Sequence, residues 1–142
     1  MTPDQIFLIR SSFHHMEAMP TEAAEIFYSR LWAIDPSTAP LFAQSDMALQ
    51  GHKLVALMAF VVNAIDTPEL VVPVAQDLAR RHITYGVTQA QYVSMGKALL
   101  AMLEQILGAG FTPEVAAAWD EAYALLSGLM TTAAYPDRMH AF

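Results

Sequence analysis

The stretch Leu78-Ala79-Arg80-Arg81-His82-Ile83-Thr84-Tyr85-Gly86-Val87 reads as the end of one helix, and Thr88 with Gln91 reads as the start of the next. Glycine enters the left-handed backbone that closes a helix without a Cβ clash, so Gly86 marks a stop. A threonine followed three residues later by glutamine is the reciprocal cap that satisfies two free N–H groups of a first turn. The same grammar runs outward in both directions. Thr2-Pro3 with Gln5, Asp35-Pro36, Thr67-Pro68 with Glu69, and Thr112-Pro113 with Glu114 each set a capping side chain ahead of a proline. Proline suits that position because its missing N–H would have no partner within the helix. Gly108 and Gly110 mark a further stop.

Between these marks the apolar residues recur every three or four positions. One set is Val115, Ala118, Trp119, Ala122, Leu126, Leu129 and Ala133; another is Tyr92, Met95, Leu99, Met102, Leu103 and Ile106. Such spacing places each set on one helical face. No strand alternation bounded by hairpin signals is visible. The pattern predicts an all-α chain with helices at 3–18, 20–34, 36–42, 47–65, 69–84, 88–107 and 113–134, and a short irregular loop over Ala43–Ala48. It reads as a single domain, 1–142, with an ordered core over 3–134 and a mobile tail over 136–142. Short connections and a very short third helix argue against a regular four-helix bundle. They favour helices crossing at steep angles around something.

Composition narrows the function. Hydrophobic residues make up 55% of the 142 and charged residues 15%, more apolar and less charged than an ordinary soluble domain. Either the core is large, or apolar surface meets something other than protein. A net charge of −7 with seven basic residues excludes nucleic acid as a natural partner and disfavours an anionic membrane surface. The absence of cysteine excludes disulfides, thiolate metal sites and iron–sulfur clusters. The N-terminus has no signal-peptide pattern, and the most apolar run, Leu54–Ile65, is too short for a bilayer span. The expected compartment is the cytoplasm.

Any metal would therefore fall to one of five histidines, His14, His15, His52, His82 and His140. His14 and His15 are adjacent and diverge by ~100° on a helix. His52 points off the face carrying Gln50, and His140 lies in the tail. His82 sits in the helix that follows the most apolar one, which suits the opposite wall of a slot. A lone helical histidine is equally an ordinary solvated residue, as Tyr28, Gln50 and Phe42 are each ordinary taken singly. Asp77, Glu104 and Glu121 are too scattered to argue a paired-carboxylate catalyst.

Taken together, Tyr28, Phe42, Gln50, His82 and Tyr92, separated by 14, 8, 32 and 10 positions, resemble the bacterial single-domain globins of the lineage shared with flavohaemoglobins and the vertebrate nerve globin. The strings FYSRLW (27–32), DPSTAPLF (35–42), QGHKL (50–54), RRHITYGV (80–87), YVSMG (92–96) and AAWDEAY (117–123) carry the likeness, which spans about residues 4–134. The resemblance implies a three-over-three globin fold around one haem b. It implies that His82 is the proximal iron ligand, that Phe42 wedges the macrocycle, and that Tyr28 and Gln50 are the distal donors. By the same likeness Leu54 roofs the iron, Tyr92 attends the proximal histidine, and Leu78, Val87 and Met95 line the haem. Lys53, Arg80 and Arg81 are candidates to neutralise its propionates, or simply part of a solvated face.

The family implies binding of oxygen, nitric oxide and carbon monoxide. Oxygen on ferrous iron becomes partly anionic, so two donors above it favour slow release and high affinity. An amide is a poor iron ligand, so Gln50 implies a five-coordinate ferrous state. One departure stands out: a glutamate of the last helix, which joins the proximal histidine and tyrosine in flavohaemoglobins, corresponds here to Ala134. Three roles follow as expectations: an oxygen-binding protein, a nitric oxide dioxygenase served by an external reductase, or a haem-based gas sensor. The expected state is a monomer or a weak homodimer.

Overall fold

The computed structural model describes residues 1–134. Six α-helices follow one another: α1 (Pro3–Glu17), α2 (Pro20–Ile34), α3 (Met47–Asn63), α4 (Pro68–Tyr85), α5 (Gln89–Leu107) and α6 (Pro113–Ala134). Two 3-10 segments, Pro36–Phe42 and Gly108–Gly110, connect them. Among the described residues there is no strand, and no helix is long and apolar enough to cross a membrane.

The expected caps explain most boundaries. Thr2 and Gln5 exchange hydrogen bonds at 3.1 and 2.9 Å, and Thr88 and Gln91 do so at 3.3 and 2.9 Å. Asp35 opens the first 3-10 segment by accepting the Ser37 N–H at 3.1 Å, and the Thr112 hydroxyl accepts the Val115 N–H at 3.2 Å. Thr67 differs from expectation. Its backbone lies outside the extended cap geometry, and its hydroxyl turns to Asp66 at 3.3 Å. Asp46 supplies the cap that opens α3, accepting from Ala48 and Leu49, inside the stretch read as irregular loop. The turn at Gly108–Gly110, expected only as a stop, is a 3-10 segment of its own. The expectations for the 136–142 tail and for His140 lie outside the described residues.

Packing divides into two clusters. The larger joins α1, α2, α5 and α6 through Ile9, Phe13, Met16, Leu31, Met102, Leu103 and Trp119. Ile9, Leu31 and Leu103 are fully buried, each worth roughly 1.5–3 kcal/mol. The Trp119 indole donates to Ser12 Oγ at 2.7 Å, which satisfies this buried polar pair. The smaller cluster joins α4, α5 and α6 through Ala75, Ala79, Val87, Tyr92 and Met130. Met95 packs against both.

The helices pair as α2 on α5, α4 on α6, α1 on α6 and α2 on α3. The consecutive helices α3 and α4 scarcely touch. α3 is the most apolar helix; it buries Gly51 and Val62 fully and Leu54, Met58 and Ala59 in part against the larger cluster. α3 thus packs with the larger cluster and α4 with the smaller one, and few contacts join the two helices directly.

Candidate functional site

The part of the candidate site carried by α3 is built by a close helix crossing. A Cβ placed on Gly51 would stand 2.8 Å from the Ala24 Cβ, so only glycine lets α2 and α3 approach this far. Tyr28 lies one turn beyond Ala24, and Gln50 adjoins Gly51, so the crossing brings both side chains to one place. Tyr28 is 6% exposed. Burial pushes its phenol above the ordinary value, and a hydrogen bond from the Gln50 side chain opposes this in part. The phenol therefore stays protonated at neutral pH and keeps an O–H to donate.

Aromatic rings surround that phenol. Phe27 and Phe42 each meet it edge-on at 5.1 Å, and Trp32 lies 5.9 Å away. Phe42 closes the 3-10 segment that Asp35 opens. Asp35 also accepts the Ser94 hydroxyl of α5 at 2.7 Å, which ties this corner down. Leu54 is half-buried and lies one turn after Gln50 on α3.

The α4 side carries His82. Gly86, at φ +86°, ends the helix with a paired closure: Val87 N–H donates to the His82 carbonyl at 2.9 Å and Gly86 N–H to the Ile83 carbonyl at 3.0 Å. The last turn is thereby locked at His82. Its Nδ1 lies 3.3 Å from the Tyr92 hydroxyl, within hydrogen-bond reach. Burial first, and the Arg81 charge second, hold the imidazole below its ordinary pKa. Both favour the neutral ring that a metal ligand requires.

Tyr92 is itself anchored. Its carbonyl accepts the Tyr123 hydroxyl from α6, and the Tyr123 ring occupies the space that Gly96 leaves, where a Cβ would stand 2.7 Å from it. Burial pushes the Tyr123 phenol well up. Leu78, Val87 and Met95 all belong to or pack against the smaller cluster, on the α4 side.

Other expected residues stand apart. Lys53 and His52 are exposed. Arg81 pairs with Asp77 at 2.9 Å and Arg80 approaches the same carboxylate at 3.8 Å, all three exposed. His14 and His15 are exposed, with ring centroids 6.4 Å apart. Among the described residues no three His, Cys, Asp or Glu gather into a metal-binding group. The side chain of Ala134 lies outside the described ones.

A profile of the Globin family matches residues 25–130. The chain belongs to the globin family. This globin is 29% identical over 132 residues to a flavohemoprotein of Bordetella parapertussis, covering 92% of this chain and 33% of that protein. It is 32% identical over 132 residues to one of Xylella fastidiosa, with 91% and 33% covered. It thus spans about a third of the length of these relatives. A solved bacterial globin from Campylobacter jejuni superposes with a TM-score of 0.83 at 18% identity, over 99% of this chain and 100% of that one, which shows the globin fold.

The cofactor of this globin is haem b, and the residues present fit it. A flat apolar group suits the apolar side chains available on both helices and their flanks, Phe42 and Leu54 packed with the larger cluster and Leu78 and Val87 with the smaller. A neutral imidazole suits iron, and a carboxylate-free interior suits an uncharged porphyrin face. The sequence had not marked Ala24 with Gly51, Trp32, Tyr123, or the Asp35–Ser94 bond. Glycines inside the helical runs, at 51 and 96, were the one available signal.

Proposed function

We propose that this globin binds oxygen tightly and reversibly, with His82 as the iron ligand through Nε2 and with Tyr28 and Gln50 as donors to the bound gas. The haem iron supplies the open coordination position at which a diatomic gas is held. Phe42 and Leu54 exclude water from that position, and Leu78, Val87 and Met95 hold the other face. The supporting observation is the meeting of the Tyr28 hydroxyl with the Gln50 amide inside a buried aromatic layer. A donor is worth most to the gas that gains negative charge on binding. Oxygen does so, whereas carbon monoxide stays nearly neutral. Each hydrogen bond of ~1 kcal/mol retards oxygen release about fivefold, and two together multiply. Tyr28→Phe tests this: oxygen dissociation accelerates about fivefold while carbon monoxide dissociation holds. An unchanged oxygen rate would remove Tyr28 from the site.

Lys53 and Arg81 belong to this reading as side chains that reach the haem propionates, which requires Arg81 to exchange its bond to Asp77. Nitric oxide and carbon monoxide join oxygen as ligands, and the cytoplasm is the compartment, with a monomer or weak homodimer as the state.

A second reading, nitric oxide dioxygenase, is favoured by the likeness to flavohemoproteins. Donors that retain oxygen also hold it for reaction with nitric oxide to give nitrate, provided an external reductase returns the electron. Sustained nitric oxide consumption over many cycles with a reductase supports it. Loss of one equivalent per haem sinks it.

A further inference from the structure

Trp32 stands one turn after Tyr28 on α2 and is partly buried against the larger cluster. Its ring lies 5.9 Å from that of Tyr28, tilted by 33°, and 6.1 Å from that of Phe42, tilted by 56°. Phe42 closes the triangle by meeting Tyr28 at 5.1 Å and 64°. Each of the three rings therefore touches the other two. Phe27 meets Tyr28 from the neighbouring position at 83°.

The Trp32 indole N–H is buried and has no hydrogen-bond partner among the described residues. Among the described residues Trp32 is therefore held by packing and not by a hydrogen bond. An orphaned donor is a penalty that phenylalanine at this position would avoid. Phenylalanine, however, is smaller than the bicyclic indole that reaches both Tyr28 and Phe42.

We propose that Trp32 is a positioning residue that aims the Tyr28 hydroxyl at the bound gas, and so sets the preference for oxygen over carbon monoxide. It touches neither gas nor iron. It acts by filling the space into which the phenol ring would otherwise relax, and by holding Phe42 against that ring. A hydrogen bond weakens steeply as its angle opens. A small rotation of the phenol therefore weakens the bond to oxygen while leaving the volume of the pocket, and carbon monoxide, nearly untouched. This rests on the reading of Tyr28 as an oxygen donor.

The test is the dissociation of oxygen and of carbon monoxide from the reduced, haem-loaded protein in Trp32→Leu, Trp32→Phe, Tyr28→Phe and the Tyr28→Phe/Trp32→Leu double variant. Trp32→Leu is expected to accelerate oxygen release by up to about fivefold with carbon monoxide unchanged. Trp32→Phe, which keeps a ring, is expected to show a smaller acceleration, and it decides the matter if the leucine variant fails to hold haem. In the double variant the Trp32 effect disappears, because the donor it aims is gone. The proposal is overturned if both gases accelerate alike, if oxygen release is unchanged at Trp32, or if the two substitutions multiply in full. If Tyr28→Phe itself leaves oxygen release unchanged, the donor reading fails first and Trp32 falls with it.

Discussion

Gly51 and Ala24 meet at the crossing of α2 and α3 so closely that any side chain on Gly51 collides with the Ala24 methyl. The crossing sets how far Gln50 stands from Tyr28. Gly51→Ala adds one methyl at 2.8 Å. Overpacking costs about 1–3 kcal/mol, and the better helix propensity of alanine returns about 1 kcal/mol. The expected result is a net loss of about 1 kcal/mol in denaturant unfolding, together with faster oxygen release as the two donors separate. Ala24→Gly in the same chain removes the collision and restores slow release.

Gly86 has open space around it, so the cost of a side chain there is purely one of backbone. At φ +86° an L-residue loses about 1–2 kcal/mol. Gly86→Ala should lower stability by that amount and speed haem transfer to a competing apoprotein, because the same closure fixes the last turn at His82. Gly86→Asn should lie between, since asparagine tolerates the left-handed region.

His82 Nδ1 lies 3.3 Å from the Tyr92 hydroxyl, and in the tautomer that ligates iron through Nε2 it donates to that hydroxyl. Its partner is a neutral phenol, so its pull on the imidazole is weaker than that of a carboxylate. Tyr92→Phe should lower the iron–histidine stretching frequency in resonance Raman spectra and weaken haem retention by up to about tenfold. An unchanged frequency would mean that the hydroxyl does not polarise the ring.

The pH dependence of the Phe42 corner follows from Asp35. The Ser37 hydroxyl first, then that of Ser94, hold its carboxyl below the ordinary value of 3.8. A carboxylate depressed in the folded state stabilises above its unfolded value, and that stabilisation is lost as pH falls through the folded one. Ser94→Ala should move the Asp35 titration upward toward 3.8, read by carboxyl NMR, and shift acid unfolding to higher pH.

What was legible in the sequence was local. Thr2, Thr88 and Gly86 act through neighbours three to five residues away, and they were read correctly because cap chemistry needs no knowledge of the fold. Thr67 failed for a local reason too: its backbone never reaches the cap conformation, and Asp66 takes its hydroxyl. Tyr28, Gln50 and His82 are ordinary residues singly, and only their common register with a family brought them forward. The Gly51–Ala24 approach, the Trp32 triangle and the Asp35–Ser94 bond, 59 residues apart in sequence, depend on crossing angles that no periodicity encodes.

Met95 touches both clusters, and α3 scarcely meets α4. The two clusters are thus joined through α5 and α6, which contribute side chains to both, rather than through α3 and α4. A haem bound between α3 and α4, as proposed, would bridge the two clusters as well as hold a gas. Haem binding and folding are then linked, so variants that loosen the packing around it will first be noticed as a change in colour.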